Sequence, residues 1–249
     1  MQLRIATYNI HRAIGVDRKF APERIVEVVS QHDPDIVLLQ EVDDGVPRSR
    51  ELDLARELAE ALGYPHYAVG HNVSLRKGRY GNATLSRYPI ERERNIDLTI
   101  GRRKRRGCQH TTLQVEKRTG YPHRLEVFNL HLGLSARERR QQVGLLASSS
   151  EFADLGHDVA CLVGGDFNDW RSLMRPFFVD VLDFSCATDR TTRRGPSAIK
   201  TYPSFAPRGG LDKLFHRGGL RARHVYRCRH RLAKTASDHL PLIADYELT

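Results

Sequence analysis

The chain has 249 residues, 40% hydrophobic and 28% charged, the make-up of a soluble globular protein with enough length to bury a substantial core. That composition excludes a disordered chain, and no apolar run approaches the ~20 residues that a bilayer-spanning helix needs. A net charge of +10 and a pI near 9.7 favour an anionic partner: nucleic acid, a membrane surface or a phosphorylated small molecule.

A first strand runs from Leu3 to Asn9, and Pro22 opens an amphipathic helix to about Gln31 with Ile25, Val28 and Val29 on one side. The short run Ile36-Val37-Leu38-Leu39 suits a strand buried on both faces, finishing at Gln40-Glu41. A second helix is expected over residues 51–62, with Leu54, Leu58 and Leu62 at helical spacing and Gly63 as its stop. Strands follow at 67–69, 83–86, 96–100, 111–115 and 125–130, the last leading into His131. Ser135 and Glu138 make a capping box for a third helix toward Phe152.

Residues 159–163 read as an apolar strand that breaks at Gly164-Gly165 and delivers Asp166 and Asn168 just past its end. The Arg-, Pro-, Gly- and Thr-rich stretch 188–210 reads as the most mobile loop, and 211–215 and 242–246 as closing strands. Cys108, Cys161, Cys186 and Cys228 are far apart and form no Cys-x-x-Cys pair, so reduced thiols are expected, with neither zinc site nor disulfide framework. The N-terminus lacks a basic then apolar signal pattern, which gives a cytoplasmic expectation. With no repeat and no linker, residues 1–249 read as one domain of mixed sheets with outer helices.

Several predicted strands terminate in a group able to hold a metal or a phosphate: Asn9, Glu41, His131, Asp166 with Asn168, Asp212, and Asp238 with His239. Each has an ordinary explanation when taken singly. Asn9 suits an Asx turn, Glu41 a solvated turn, Asp212 a local cap, and His131 a satisfied core histidine. Their joint placement at strand ends, where ligand chemistry concentrates in α/β sheets, is the organising observation.

On these residues the chain resembles the endonuclease/exonuclease/phosphatase superfamily. The matching pieces are Thr7-Tyr8-Asn9, Leu39-Gln40-Glu41, the segment from Gly81-Asn82 to Arg87, Asn129-Leu130-His131, Gly165-Asp166-Phe167-Asn168, Leu211-Asp212 and Ser237-Asp238-His239. Gly-Asp-x-Asn or Ser-Asp-His alone is weak, but all seven pieces occur in the family's order. The resemblance implies a four-layer α/β sandwich, two packed mixed β-sheets flanked by helices, and Mg²⁺- or Mn²⁺-dependent hydrolysis of a phosphate ester. It implies Glu41 as the main metal ligand with Asn9 and Asp238 near it, and Asp166 as the group orienting or deprotonating the attacking water. Asn168 would hold the water or a phosphoryl oxygen. His239, paired with Asp212, and His131 would handle phosphate charge and protons, and Asn82 would serve as a substrate-side amide.

The residues leave the phosphate ester open. Arg102-Arg103-Lys104-Arg105-Arg106 and the series Arg221, Arg223, Arg227, Arg229 and Arg231 read either as solvated charge or as a footprint for a polyanion, commonly nucleic acid. Lys213 after Asp212, the His131-Leu132-Gly133 motif and the single Trp170 depart from the abasic-site endonuclease pattern. Arg139 and Gln142 read as packing groups or supports behind the site. The leading expectation is a phosphodiesterase with nuclease-like action on DNA or RNA. The alternatives are a phospholipase C-like enzyme or phosphomonoesterase, with membrane lipid or sugar phosphate as substrate, and a non-catalytic nucleic-acid-binding module. No obligate protein partner is evident.

Overall fold

The computed structural model of the chain describes residues 1–116, 122–192 and 195–249. Side-chain alternation along the first strands decides the layering. On β1 (Gln2–Asn9), Leu3 and Ile5 enter the core between two sheets, while Ala6 and Tyr8 enter a separate outer core. β2 (Ile36–Asp44) repeats the pattern, with Ile36 and Leu38 inward and Val37 and Leu39 outward. A continuous apolar run therefore serves two interfaces at once.

The first sheet orders its six strands β13 (Leu220–Arg227), β14 (Leu242–Leu248), β1, β2, β4 (Arg79–Ser86) and β3 (His66–Ser74). The second runs β5 (Ile90–Asp97), β6 (Gly107–Glu116), β7 (Pro122–His131), β8 (Cys161–Asp166), β12 (Asp212–Arg217) and β9 (Ser185–Cys186). Each sheet has one parallel pair, β1 with β2 and β7 with β8, among antiparallel neighbours. Helices α1 (Pro22–Ser30) and α2 (Leu54–Leu62) cover the first sheet through Ile25, Val28, Leu54 and Leu58. Helices α3 (Ala136–Ser148) and α4 (Ser150–Ala153) cover the second through Val143, Leu146 and Phe152. The fold is thus a four-layer α/β sandwich of two six-stranded mixed sheets flanked by helices. No helix among the described residues is long and apolar enough to cross a membrane.

Four local expectations change. The second helix starts at Leu54, because the Asp53 carboxylate accepts the Arg56 N–H at 3.1 Å and caps it there. The third stops at Ser148, where the hydroxyls of Ser148 and Ser149 bond carbonyls three residues back and Ser149 turns extended. Strand β8 does not break at its glycines but runs through them to Asp166. Gly165 has φ +133°, and a Cβ there would sit 2.0 Å from the Leu130 carbonyl oxygen, so the glycine permits close approach to β7 rather than a turn. The stretch 188–210 contains a hairpin, β10 (Asp189–Thr192) with β11 (Gly195–Ala198), although residues 193–194 lie outside the described residues. Its later part is tied down, with the Leu240 N–H donating to the Thr201 carbonyl at 3.0 Å.

The inner faces of both sheets change character toward one end. β1 reads Leu3, Ile5, Thr7, Asn9; β7 reads Leu125, Val127, Asn129, His131; β8 reads Leu162, Gly164, Asp166. Between the apolar core and the polar end lies a buried layer of amides and hydroxyls. Gln40 Nε2 donates to Asn129 Oδ1 at 2.8 Å, and Asn129 Nδ2 donates to the carbonyls of Leu39 and Ala83. Asn82 Nδ2 crosses the same gap to the carbonyls of Gly107 and Asn129.

A short helix, α5 (Ala233–Ala236), precedes Ser237 on the way into β14.

Candidate active site

The polar end opens into a cleft of about 570 Å³ at the carboxyl ends of the two parallel pairs. Asn9, Glu41, His131, Asp166, Asn168, Asp238 and His239 all line it. Asp212 stands behind His239, and Asn82, in the inter-sheet amide layer with its amide donated to carbonyls, borders a small recess beside the cleft with Glu41, Arg106 and His131.

Asp166 is the convergence point. Its Oδ1 accepts the Asn168 backbone N–H at 2.8 Å and its Oδ2 accepts Asn9 Nδ2 at 3.0 Å. His131 Nε2 and His239 Nε2 approach the same Oδ2 at 3.5 and 3.7 Å. Burial dominates this carboxyl and, with the Asp212 charge, pushes its pKa up to about 6 against the pull of His239 and the two hydrogen bonds. Asn168, at φ +49°, bends the chain back so that its amide donates to the Leu132 carbonyl at 2.9 Å.

The two histidines take opposite charge states. For His239, burial disfavours the imidazolium, but Asp212 and Asp166 outweigh it and raise the pKa to about 10. Its Nδ1 lies 2.9 Å from Asp212 Oδ2, which fixes the ring, and the Ser237 hydroxyl accepts its backbone N–H at 3.2 Å. His131 is held well below the ordinary histidine range by burial and by the nearby charges of Arg106, His239 and Lys104. At neutral pH the site therefore pairs a cationic imidazole with a neutral one.

Glu41 sits where the β2–β4 register slips between Leu39 and Val42, with φ +57°. Such a bulge re-aims a side chain, and a non-glycine residue with positive φ in it is a strained position held by its surroundings. Among the described residues its carboxylate accepts no hydrogen bond and forms one ion pair, with Arg12 Nε at 3.4 Å. Asn9 Oδ1 takes only the His11 N–H, at 3.0 Å, and Asp238 is half-buried at the cleft wall. These are hard oxygen donors with lone pairs to give, and they fit a Mg²⁺-type cation that retains several waters. The buried trio Asp166, Asp212 and His239 also brings ligand atoms within 4.8 Å of one another. Asp212 Oδ1 is buried there without a partner among the described residues, but Oδ2 holds His239, whose imidazolium would face the cation, so the trio fits less well.

Some contributors were not among the residues the sequence named for the site. Thr201 and Tyr202 arrive from the stretch read as a loop, and Tyr202 tilts its ring 5.0 Å from that of His239. Arg103, Lys104 and Arg106 of the basic run reach the cleft wall, as does Trp170. Their residue types were visible in the sequence, but not their convergence. Arg139 donates to the carbonyls of Gly133 and Leu134 and sits 3.5 Å from Asp169, while Gln142 Oε1 accepts the Gly133 N–H. Both support the loop after His131.

The profile of the Endonuclease/Exonuclease/phosphatase family matches residues 6–239. The YbhP protein of Escherichia coli K12 is 30% identical over 254 residues, spanning 98% of this chain and 96% of that protein. The catalytic domain of human Nocturnin, solved with a bound sulfate anion, superposes with a TM-score of 0.76 at 23% identity, covering 100% of this chain and 95% of its own. A mannosyl-6-phosphatase of Bacteroides thetaiotaomicron gives a TM-score of 0.71 at 21% identity, covering 99% of both chains. The family generally hydrolyses phosphate esters and typically uses a divalent metal. A profile spanning every strand end that feeds the cleft leaves one assignment: the chain belongs to the endonuclease/exonuclease/phosphatase family.

Proposed function

We propose that this chain is a Mg²⁺- or Mn²⁺-dependent phosphodiesterase with nuclease-like action. The observation that carries the reading is the convergence of Asn9, His131 and His239 on one carboxylate oxygen of Asp166, beside a Glu41 whose lone pairs face the same cleft. Glu41, with Asn9 and Asp238, would hold the cation, which when bound supplies charge to polarise the phosphoryl oxygen and steady the leaving oxygen.

The chain's own groups supply the rest. Asp166, oriented by Asn9 and the Asn168 N–H, accepts the proton of the attacking water. His239 keeps a proton on Nε2 through its pairing with Asp212 and presents it to the charge that develops on phosphorus-bound oxygen. His131, neutral, offers a hydrogen bond to the phosphoryl group without adding charge. The basic run at the cleft wall and the net charge of +10 draw in a polyanion and favour nucleic acid over a neutral headgroup.

A substrate panel tests this reading: plasmid DNA, RNA, an abasic oligonucleotide, sphingomyelin, cardiolipin, mannose 6-phosphate and a chromogenic phosphodiester, each with Mg²⁺, Mn²⁺ or chelator. Metal-dependent cleavage of nucleic acid is the expected outcome. Hydrolysis of lipid or sugar phosphate without nucleic acid would replace this reading with one of the other enzymatic ones.

A further inference from the structure

Two features of the cleft have been given no direct contact with the substrate so far. The first is Arg106. It is buried, 7% exposed, immediately before β6, yet it lines the cleft. Among the described residues its guanidinium has no ion-pair partner, and Nε is buried without a hydrogen-bond acceptor. Its neighbours in the basic run differ. Arg103 reaches Glu138 Oε2 at 3.4 Å and Lys104 lies 5.5 Å over the Tyr80 ring. A buried guanidinium left unpaired costs stability unless something anionic completes it, and its planar fork matches phosphate.

The second is Trp170. It is 54% exposed at the cleft wall, four residues past Asp166, and set edge-on against Tyr202 with ring centroids 5.5 Å apart. Tyr202 in turn leans on His239. Arg106 lies on the other flank, sharing a recess with Glu41, Asn82 and His131. The aromatic pair and the arginine thus bracket Asp166, one through each histidine.

We propose that this bracket is a clamp for one unpaired nucleotide, in which Trp170, backed by Tyr202, stacks the base and Arg106 takes the anionic oxygens of an adjacent phosphate. Exposed aromatic faces bind bases without regard to sequence, but only bases free of a duplex partner. The substrate class is therefore single-stranded ends or loops, not continuous duplex. The inference rests on the phosphodiesterase reading of the same site and adds to it which form of nucleic acid enters.

Trp170 is the chain's single tryptophan, so its emission reports occupancy of the cleft directly. The test uses the full chain carrying Asp166→Asn, with Mg²⁺, a fluorescein-labelled single-stranded oligothymidylate, the matching duplex, and mannose 6-phosphate. The single strand is expected to quench Trp170 and to bind at least about tenfold more tightly than the duplex. Adding Arg106→Ala should weaken it roughly 10- to 100-fold, with part recovered by Arg106→Lys, and Trp170→Ala should weaken it by a similar factor while Trp170→Phe stays near the parent. Anisotropy reads the Trp170 variants, and thermal melts confirm that each is folded. Should Arg106→Ala fail to fold, Arg106→Gln takes its place. Unchanged affinity in folded Arg106 and Trp170 variants, or equal binding of duplex and single strand, overturns the clamp. Because affinity is read on inactivated protein, binding without hydrolysis by the wild type would defeat the phosphodiesterase reading and leave the clamp standing.

Discussion

His239 Nδ1 lies 2.9 Å from Asp212 Oδ2, in a pair almost sealed from solvent, and the same oxygen accepts the Thr201 hydroxyl at 2.5 Å. This arrangement makes His239 the standing cation of the site. Asp212→Asn removes the charge that holds the proton, and turnover should fall ~10²–10³-fold. The alkaline limb of the pH–rate profile, set by His239 near about 10, should move toward neutrality in the variant. Stability follows the same sign. The pair's contribution is fully present below the unfolded-state histidine value and is lost as pH rises through about 10, which denaturant midpoints across that range would read.

Asp166 behaves in the opposite sense. Its folded pKa is raised to about 6, chiefly by burial, so ionising it costs the native state stability as pH climbs from its ordinary value through about 6. Activity that needs the carboxylate should rise through the same window. At pH 8, Asp166→Asn should therefore lose turnover in Mg²⁺ yet, melted without added metal, be more stable than the parent by on the order of 1–3 kcal/mol, or ~2–4 °C in Tm per kcal/mol. A variant that melts lower than the parent would contradict this reading of the site.

Glu41 is the proposed anchor for the cation. Glu41→Gln should fold normally and lose metal-dependent turnover. Mg²⁺ should raise the Tm of the wild type, since ligand at ~100 Kd adds about 2.7 kcal/mol, and leave that of Glu41→Gln close to its value in chelator. Differential scanning fluorimetry with and without chelator separates the two outcomes.

The amide layer beneath the cleft has a structural role. Asn129→Ala strips the side-chain donor from the buried Leu39 and Ala83 carbonyls, and one of three acceptors from Gln40 Nε2, which keeps Thr7 Oγ1 and the Leu38 carbonyl. The expected loss is about 1–3 kcal/mol for each group left unpaired, read from urea midpoints. Asn82→Ala should likewise destabilise, with KM little changed, because its amide faces backbone carbonyls and not the cleft. A KM effect without a stability effect would return Asn82 to the substrate side.

Much of this was legible along the chain because strand periodicity and function share one signal. Residues at strand ends such as Asn9, His131 and Asp166 follow apolar runs directly, and the alternation that places Leu125 and Val127 inward places His131 inward too. Local signals misled where tertiary contact set the outcome. Gly164-Gly165 looks like a break, yet the glycines serve close approach to β7, Leu38 and Leu214. Thr201 and Tyr202 lie in a stretch whose composition reads as loop, and only their bonds to Asp212 and contact with His239 give them a place in the site. Arg106 is one of five basic residues in a run, and what distinguishes it, burial without a partner, is a property of the fold.

The most direct measurement is metal-dependent turnover of single-stranded oligonucleotide by wild type and folded Asp166→Asn, side by side, in Mg²⁺ and in chelator. Wild-type cleavage that vanishes with chelator, and in the variant falls by at least ~10²-fold, is the predicted result. Equal turnover by the two proteins, or wild-type cleavage indifferent to metal, would contradict a site built on Asp166 and a divalent cation.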